Sequence, residues 1–182
     1  MNEILTAHGL ETKFAALDHS AVSAAGIGGY ASIFGIADHN GDIVEPGAFA
    51  ASLKRLANEG RSVKLLWQHD PTKPIGIWSE IAEDHTGLSV RGRLLTDLVQ
   101  GAEAATLLAA GAIDGLSIGY RTVRAEKSGA GRRLIELDLW EVSLVTFPML
   151  PSARASAKAP DPETDLAQVL SDALRGAREA FA

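Results

Sequence analysis

Gly115-Leu116-Ser117-Ile118-Gly119 sets a serine between two glycines, and all five histidines of the chain precede it: His8, His19, His39, His69 and His85. A serine bracketed by glycines can expose its hydroxyl and lets a substrate approach its backbone, which makes G-x-S-x-G a nucleophile signature. The signature alone does not separate a nucleophile from a serine in a tight structural turn. A serine hydroxyl attacks well only when a base takes its proton, and near neutral pH that base is usually histidine. An α/β-hydrolase carries its histidine after the serine. The order here is reversed, and 182 residues are few for that fold, so a doubly wound hydrolase is excluded. If Ser117 is a nucleophile, it works on another scaffold.

The chain read in order predicts mainly β structure with helices, an α+β class. Strands are expected near 12–17 and 30–34. Gly26-Ile27-Gly28-Gly29-Tyr30-Ala31 fits a dinucleotide fingerprint, but it runs into a strand rather than opening a helix, which argues against a bound dinucleotide. Asp38-His39-Asn40-Gly41-Asp42 alternates acids as a calcium loop does. Ile43 and Phe49 then stand where such a loop needs glycine and glutamate, so Asn40-Gly41 is read as a turn. Pro46 opens a predicted helix to about Asn58, stopped by Gly60. A second helix is expected from Asp97 to Ala110, capped by Thr96 or Asp97 and stopped by Gly111.

Between the helices, Val63, Leu65, Trp67 and His69 share one parity of a strand that Pro71 should end. His69 is then either a satisfied core residue or a base held beside a cleft. Strands follow near 75–82 and 88–94, and His85 sits in the polar turn between them, where solvent exposure is expected. The Ser117 strand runs on to about Ala125, turns through 127–131 and returns over 132–147. On the return, Glu141 shares parity with Leu137 and Leu139, and an unpaired carboxylate on an apolar face is costly. A hairpin symmetric about Gly129 sets Glu141 opposite Ser117, with Cβ atoms about 4.5–5.5 Å apart. A structural salt bridge is the alternative use of that acid.

One domain is expected over 1–150, an Ala/Ser-rich linker over 151–160, and a helical tail over 161–182 with Leu166, Val169, Leu170, Ala173, Ala177 and Phe181 on one stripe. Net charge is −6 with a pI near 5.3, which leaves no basic footprint for nucleic acid. No apolar run reaches the length of a membrane span, and Met1-Asn2-Glu3 opens no signal peptide, so a cytoplasmic protein is expected. With no cysteine, thiol nucleophiles and thiolate metal sites are excluded. The residues call for no cofactor and no metal.

Five segments in order carry a resemblance: Gly29-Tyr30-Ala31-Ser32-Ile33-Phe34-Gly35; Gly41-Asp42-Ile43-Val44-Glu45-Pro46-Gly47-Ala48-Phe49; Leu66-Trp67-Gln68-His69-Asp70-Pro71 with Pro74-Ile75-Gly76; Gly115 to Tyr120; and Trp140-Glu141-Val142-Ser143-Leu144-Val145-Thr146-Phe147-Pro148. The chain resembles the prohead (procapsid maturation) serine proteases of tailed bacteriophages over roughly residues 12–155. The resemblance implies a herpesvirus-assemblin-like β-barrel with surrounding helices. It also implies a serine endopeptidase that removes scaffolding segments from the capsid protein and often destroys itself afterwards. Its partners would be the major capsid protein with its scaffold and possibly other copies of itself. Its place would be inside assembling procapsids in the bacterial cytoplasm. Carried over, His69 is the base and Ser117 the nucleophile. The herpesvirus enzymes use a second histidine, downstream of the serine; none exists here, and Glu141 is the candidate in its place. An inactive capsid assembly or scaffolding protein of the same fold, or a serine hydrolase acting on another bond, are the alternatives.

Overall fold

The computed structural model describes residues 11–16, as backbone, and 26–147. Eight strands and two helices follow the order β1 (Glu11–Ala16), β2 (Gly26–Ile33), β3 (Ile43–Val44), α1 (Ala50–Asn58), β4 (Lys64–Trp67), β5 (Asp70–Glu83), β6 (Gly87–Leu94), α2 (Val99–Ala109), β7 (Gly115–Ser128) and β8 (Gly131–Val145). Seven strands form one sheet in the order β1-β7-β8-β4-β5-β6-β2, and β3 adds a short parallel pairing to β8. The fold is α+β: a curled, open half-barrel with two helices. The strands at its ends, β1 and β2, come close to each other, but no ladder joins them among the described residues. No described helix is long and apolar enough to cross a membrane.

The concave face holds the core. Leu65, Ile75, Trp78, Leu88, Val90, Leu94, Leu116, Ile118, Tyr120, Leu139, Val142 and Leu144 form one cluster with Phe49 and Leu56 of the α1 region and Leu108 of α2. Strand alternation sends Leu116, Ile118 and Tyr120 into this cluster and turns Ser117 and Gly119 to the other face.

Several expected boundaries move. α1 begins at Ala50 rather than Pro46, because Ala48 N–H bonds to the Glu45 carbonyl and Ala50 N–H to that of Gly47, spending 46–49 on turns. α2 starts at Val99 with Leu98 as its N-cap residue and no side-chain cap; Thr96 and Asp97 lie in the turn that Leu98 N–H closes onto the Leu95 carbonyl. The strand expected to end at His69 stops at Trp67, and β5 starts at Asp70, running straight through Pro71 and Pro74. The predicted linker and tail lie outside the described residues.

The β7–β8 hairpin carries the largest correction. Its turn is centred between Gly129 and Ala130, since Ser128 pairs with Gly131, and three irregularities interrupt the ladder. Ser117 therefore faces Ser143, while Glu141 faces Gly119. The irregularity between Gly119 and Tyr120 leaves Trp140 as an extra residue on β8, a β-bulge. Leu139 and Val142 both join the core, so the bulge turns Glu141 away from the face that simple alternation gives it. Glu141 belongs to the face of Ser117 and Gly119, not to that of Leu137 and Leu139.

At the far end, the 38–45 loop docks onto the hairpin tip. Asp42 accepts Arg132 Nη2 at 2.6 Å and the Arg132 backbone N–H at 2.8 Å, and Glu45 accepts Arg133 Nε at 2.8 Å. The Arg133 guanidinium holds the Glu45 carboxyl below its ordinary range. The alternating acids that resemble a calcium loop are thus turn and ion-pair residues: Asp38 Oδ1 accepts the N–H groups of Asn40 and Asp42 at 2.9 Å.

Candidate active site

β4 and β7 flank β8 on either side, so three adjacent strands bring Leu66, Ser143 and Ser117 into one row. The chain leaves β4 through the two-residue turn Gln68-His69, closed by the Trp67–Asp70 pair. Both turn residues take positive φ, 52° and 61°, the twist a tight hairpin requires and one that residues other than Gly, Asn or Asp resist. β8 holds the turn. Gln68 N–H bonds to the Leu144 carbonyl at 3.0 Å, the Gln68 amide to Thr146 Oγ1 at 2.5 Å, and His69 N–H to Ser143 Oγ at 3.2 Å. His69 is therefore set by a left-handed turn rather than by strand parity.

The turn lays the imidazole over β8. His69 Nδ1 lies 2.6 Å from Glu141 Oε1, and both side chains are 7% exposed. The second carboxylate oxygen accepts the Ser143 hydroxyl at 2.5 Å. A buried carboxylate needs partners for its lone pairs, and here both oxygens have one. With Nδ1–H donated to Glu141, the ring presents the lone pair of Nε2, the arrangement a general base needs.

Ser117 sits one strand away from this pair, fully buried, and among the described residues its Oγ has no hydrogen-bond partner. Ser143, directly opposite it, is equally buried, but its hydroxyl already donates to Glu141 and accepts from His69. Of the two facing serines, Ser117 is the one with an uncommitted hydroxyl. Gly119 makes the arrangement possible: a Cβ there would lie 2.0 Å from Glu141 Oε1. The second glycine of the signature is the space into which the Glu141 carboxylate extends.

His69, Glu141 and Ser117 thus fall within one patch of three adjacent strands. His85 does not: it is exposed in the β5–β6 turn. In that turn Asp84 accepts the Tyr30 hydroxyl at 2.6 Å, which holds its carboxyl below the ordinary range together with the Thr86 N–H. Gln68 and Ser143 lie within the resembling segments, but the sequence assigns neither a role. The short Glu-x-Ser spacing on β8 is the signal that could have found Ser143. Among the described residues no cluster of His, Asp and Glu could hold a metal ion.

The profile of the Caudovirus prohead serine protease family matches residues 12–166. The chain belongs to that family. It is 35% identical over 133 residues to the prohead protease of Enterobacteria phage HK97, an alignment covering 71% of this chain and 58% of that protein. The chain thus spans under two thirds of the curated relative's length. The structure of the bacteriophage T4 capsid assembly protease superposes with a TM-score of 0.63 at 16% identity, covering 76% of this chain and 98% of that one. At that identity the likeness speaks to the fold.

Proposed function

We propose that this chain is a serine endopeptidase of prohead maturation, with Ser117 as nucleophile, His69 as base and Glu141 as third member. The observation that carries the reading is the buried 2.6 Å contact between His69 and Glu141, beside a serine with an uncommitted hydroxyl. In this scheme His69 Nε2 takes the Ser117 proton as Oγ attacks the scissile carbonyl, then returns it to the leaving amine; water resolves the acyl-enzyme by the same route. Glu141 keeps Nδ1 protonated and stabilises the imidazolium that forms. Because Ser117 is fully buried, a peptide carbonyl reaches it only when the residues over it move aside. The curled sheet is read as the herpesvirus-assemblin type of barrel, a reading that the approach of β1 to β2 supports.

Family membership makes the capsid protein and its scaffolding segment the expected substrates, met inside procapsids in the host cytoplasm. Co-expression with the capsid precursor tests the reading. The wild-type chain should shorten the precursor, and Ser117→Ala should lose at least about a thousandfold of that activity while remaining folded, since one hydroxyl is removed. Processing by Ser117→Ala at the wild-type rate, with other proteases absent, would remove the nucleophile from the scheme.

A further inference from the structure

Ser143 is buried at the point where three strands and the His69 turn meet, and its hydroxyl both donates and accepts. One lone pair takes the backbone N–H of His69, and its proton goes to Glu141 Oε2. One oxygen atom therefore joins the backbone of the proposed base to the carboxylate that orients its ring. The ring closes the circuit through Nδ1 and Glu141 Oε1. A left-handed turn built from Gln and His is a strained conformation, so it persists only where neighbours impose it. Gln68 is imposed by Leu144 and Thr146, whereas His69 N–H is bonded to Ser143.

We propose that Ser143 is a positioning residue for the reaction: it fixes the His69 backbone and the Glu141 carboxylate in one relation, so that the imidazole is aimed before a peptide arrives. The inference rests on the reading of His69, Glu141 and Ser117 as the catalytic group. Ser143 touches no reacting atom in this role. Its effect passes through His69 and Glu141, and a base misplaced by about an ångström costs roughly a hundredfold in rate.

The test compares Ser143→Ala with Ser52→Ala. Ser52 is also buried and joins a backbone N–H, that of Leu139 at 3.0 Å, to a carboxylate oxygen, that of Asp138 at 3.4 Å, but it does so from α1, away from His69. Each variant loses one donated and one accepted hydrogen bond of a buried serine, so both lose thermal stability and Ser52→Ala controls for the loss of a buried hydroxyl as such. With a peptide spanning the site that the wild type cuts in the capsid precursor, Ser143→Ala should lower kcat about ten- to a hundredfold with KM within about threefold. Ser52→Ala should stay within about threefold in both. Proton NMR supplies a readout independent of turnover: the low-field Nδ1 proton of His69, absent in Glu141→Gln, should shift or broaden in Ser143→Ala and stay in place in Ser52→Ala. An unchanged kcat and an unmoved proton in Ser143→Ala would overturn the proposal, as would an equal loss of kcat in Ser52→Ala. If Ser117→Ala still cleaves, the catalytic reading fails instead, and the NMR comparison then decides the positioning claim on its own.

Discussion

Gly119 and Glu141 show how one residue's missing side chain sets another residue's chemistry. The Glu141 carboxylate lies across β7 where a Cβ would stand, and two hydrogen bonds, from His69 and Ser143, hold it there. In Gly119→Ala the methyl meets the end of a flexible side chain, so the strand itself can survive. The carboxylate must then leave His69. We expect this variant to fold and to lose cleavage at least about tenfold, the order expected when a catalytic group loses its geometry; a fully active Gly119→Ala would mean that the Glu141 contact is dispensable. Glu141→Gln keeps the shape and removes the charge. It should slow cleavage by about ten- to ten-thousandfold, while exposed His85→Ala stays within a few fold of wild type. The opposite pattern would move the third position to His85.

At the level of elements, the β7–β8 hairpin is both core and site. Its Leu116, Ile118, Val142 and Leu144 fill the concave face, and its other face presents Ser117, Glu141 and Ser143. The bulge at Trp140 is what allows both, since it returns Val142 to the core after Glu141 has turned outward. The hairpin tip is fixed by the 38–45 loop, which approaches so closely that a Cβ at Gly131 would lie 2.0 Å from the Gly41 carbonyl oxygen. Backbone cannot yield there as a side-chain end can. Gly131→Ala should therefore destabilise the domain by about 1–3 kcal/mol, the usual range for overpacking, and a denaturant titration would measure it. An unchanged midpoint would show that the loop separates from the tip without cost. The Asp42–Arg132 pair would lose its geometry with it.

For the whole molecule, the family match runs from residue 12 to residue 166, past the Ala/Ser-rich stretch 151–160 and into the segment whose pattern predicts a helix. A small-residue sequence between prolines suits an extended chain entering a protease groove. We expect the active protein to shorten itself within or just after 151–160, and Ser117→Ala to keep its full length. Mass spectrometry of the two preparations compares them directly; an intact C-terminus in the wild type would refute self-shortening here.

The sequence by itself determined the family, through its ordered motifs, and singled out the three residues proposed for catalysis. A serine between glycines, a histidine upstream and an acid on the returning strand are local patterns, and strand and turn propensities placed most elements because those depend on neighbours a few residues apart. Tertiary structure decided how the three are placed. A turn centred half a residue beyond Gly129 and the bulge at Trp140 together moved Glu141 from opposite Ser117 to opposite Gly119, and the bulge reversed its face. Such shifts depend on how the two strands pack against the rest of the sheet, which no alternation pattern within one strand encodes. His69 likewise took its place from a left-handed turn held by Ser143, Leu144 and Thr146, residues more than seventy positions away along the chain. Ser143 carries only the short Glu-x-Ser spacing as a local signal; its bond to the His69 N–H comes from a turn more than seventy positions away.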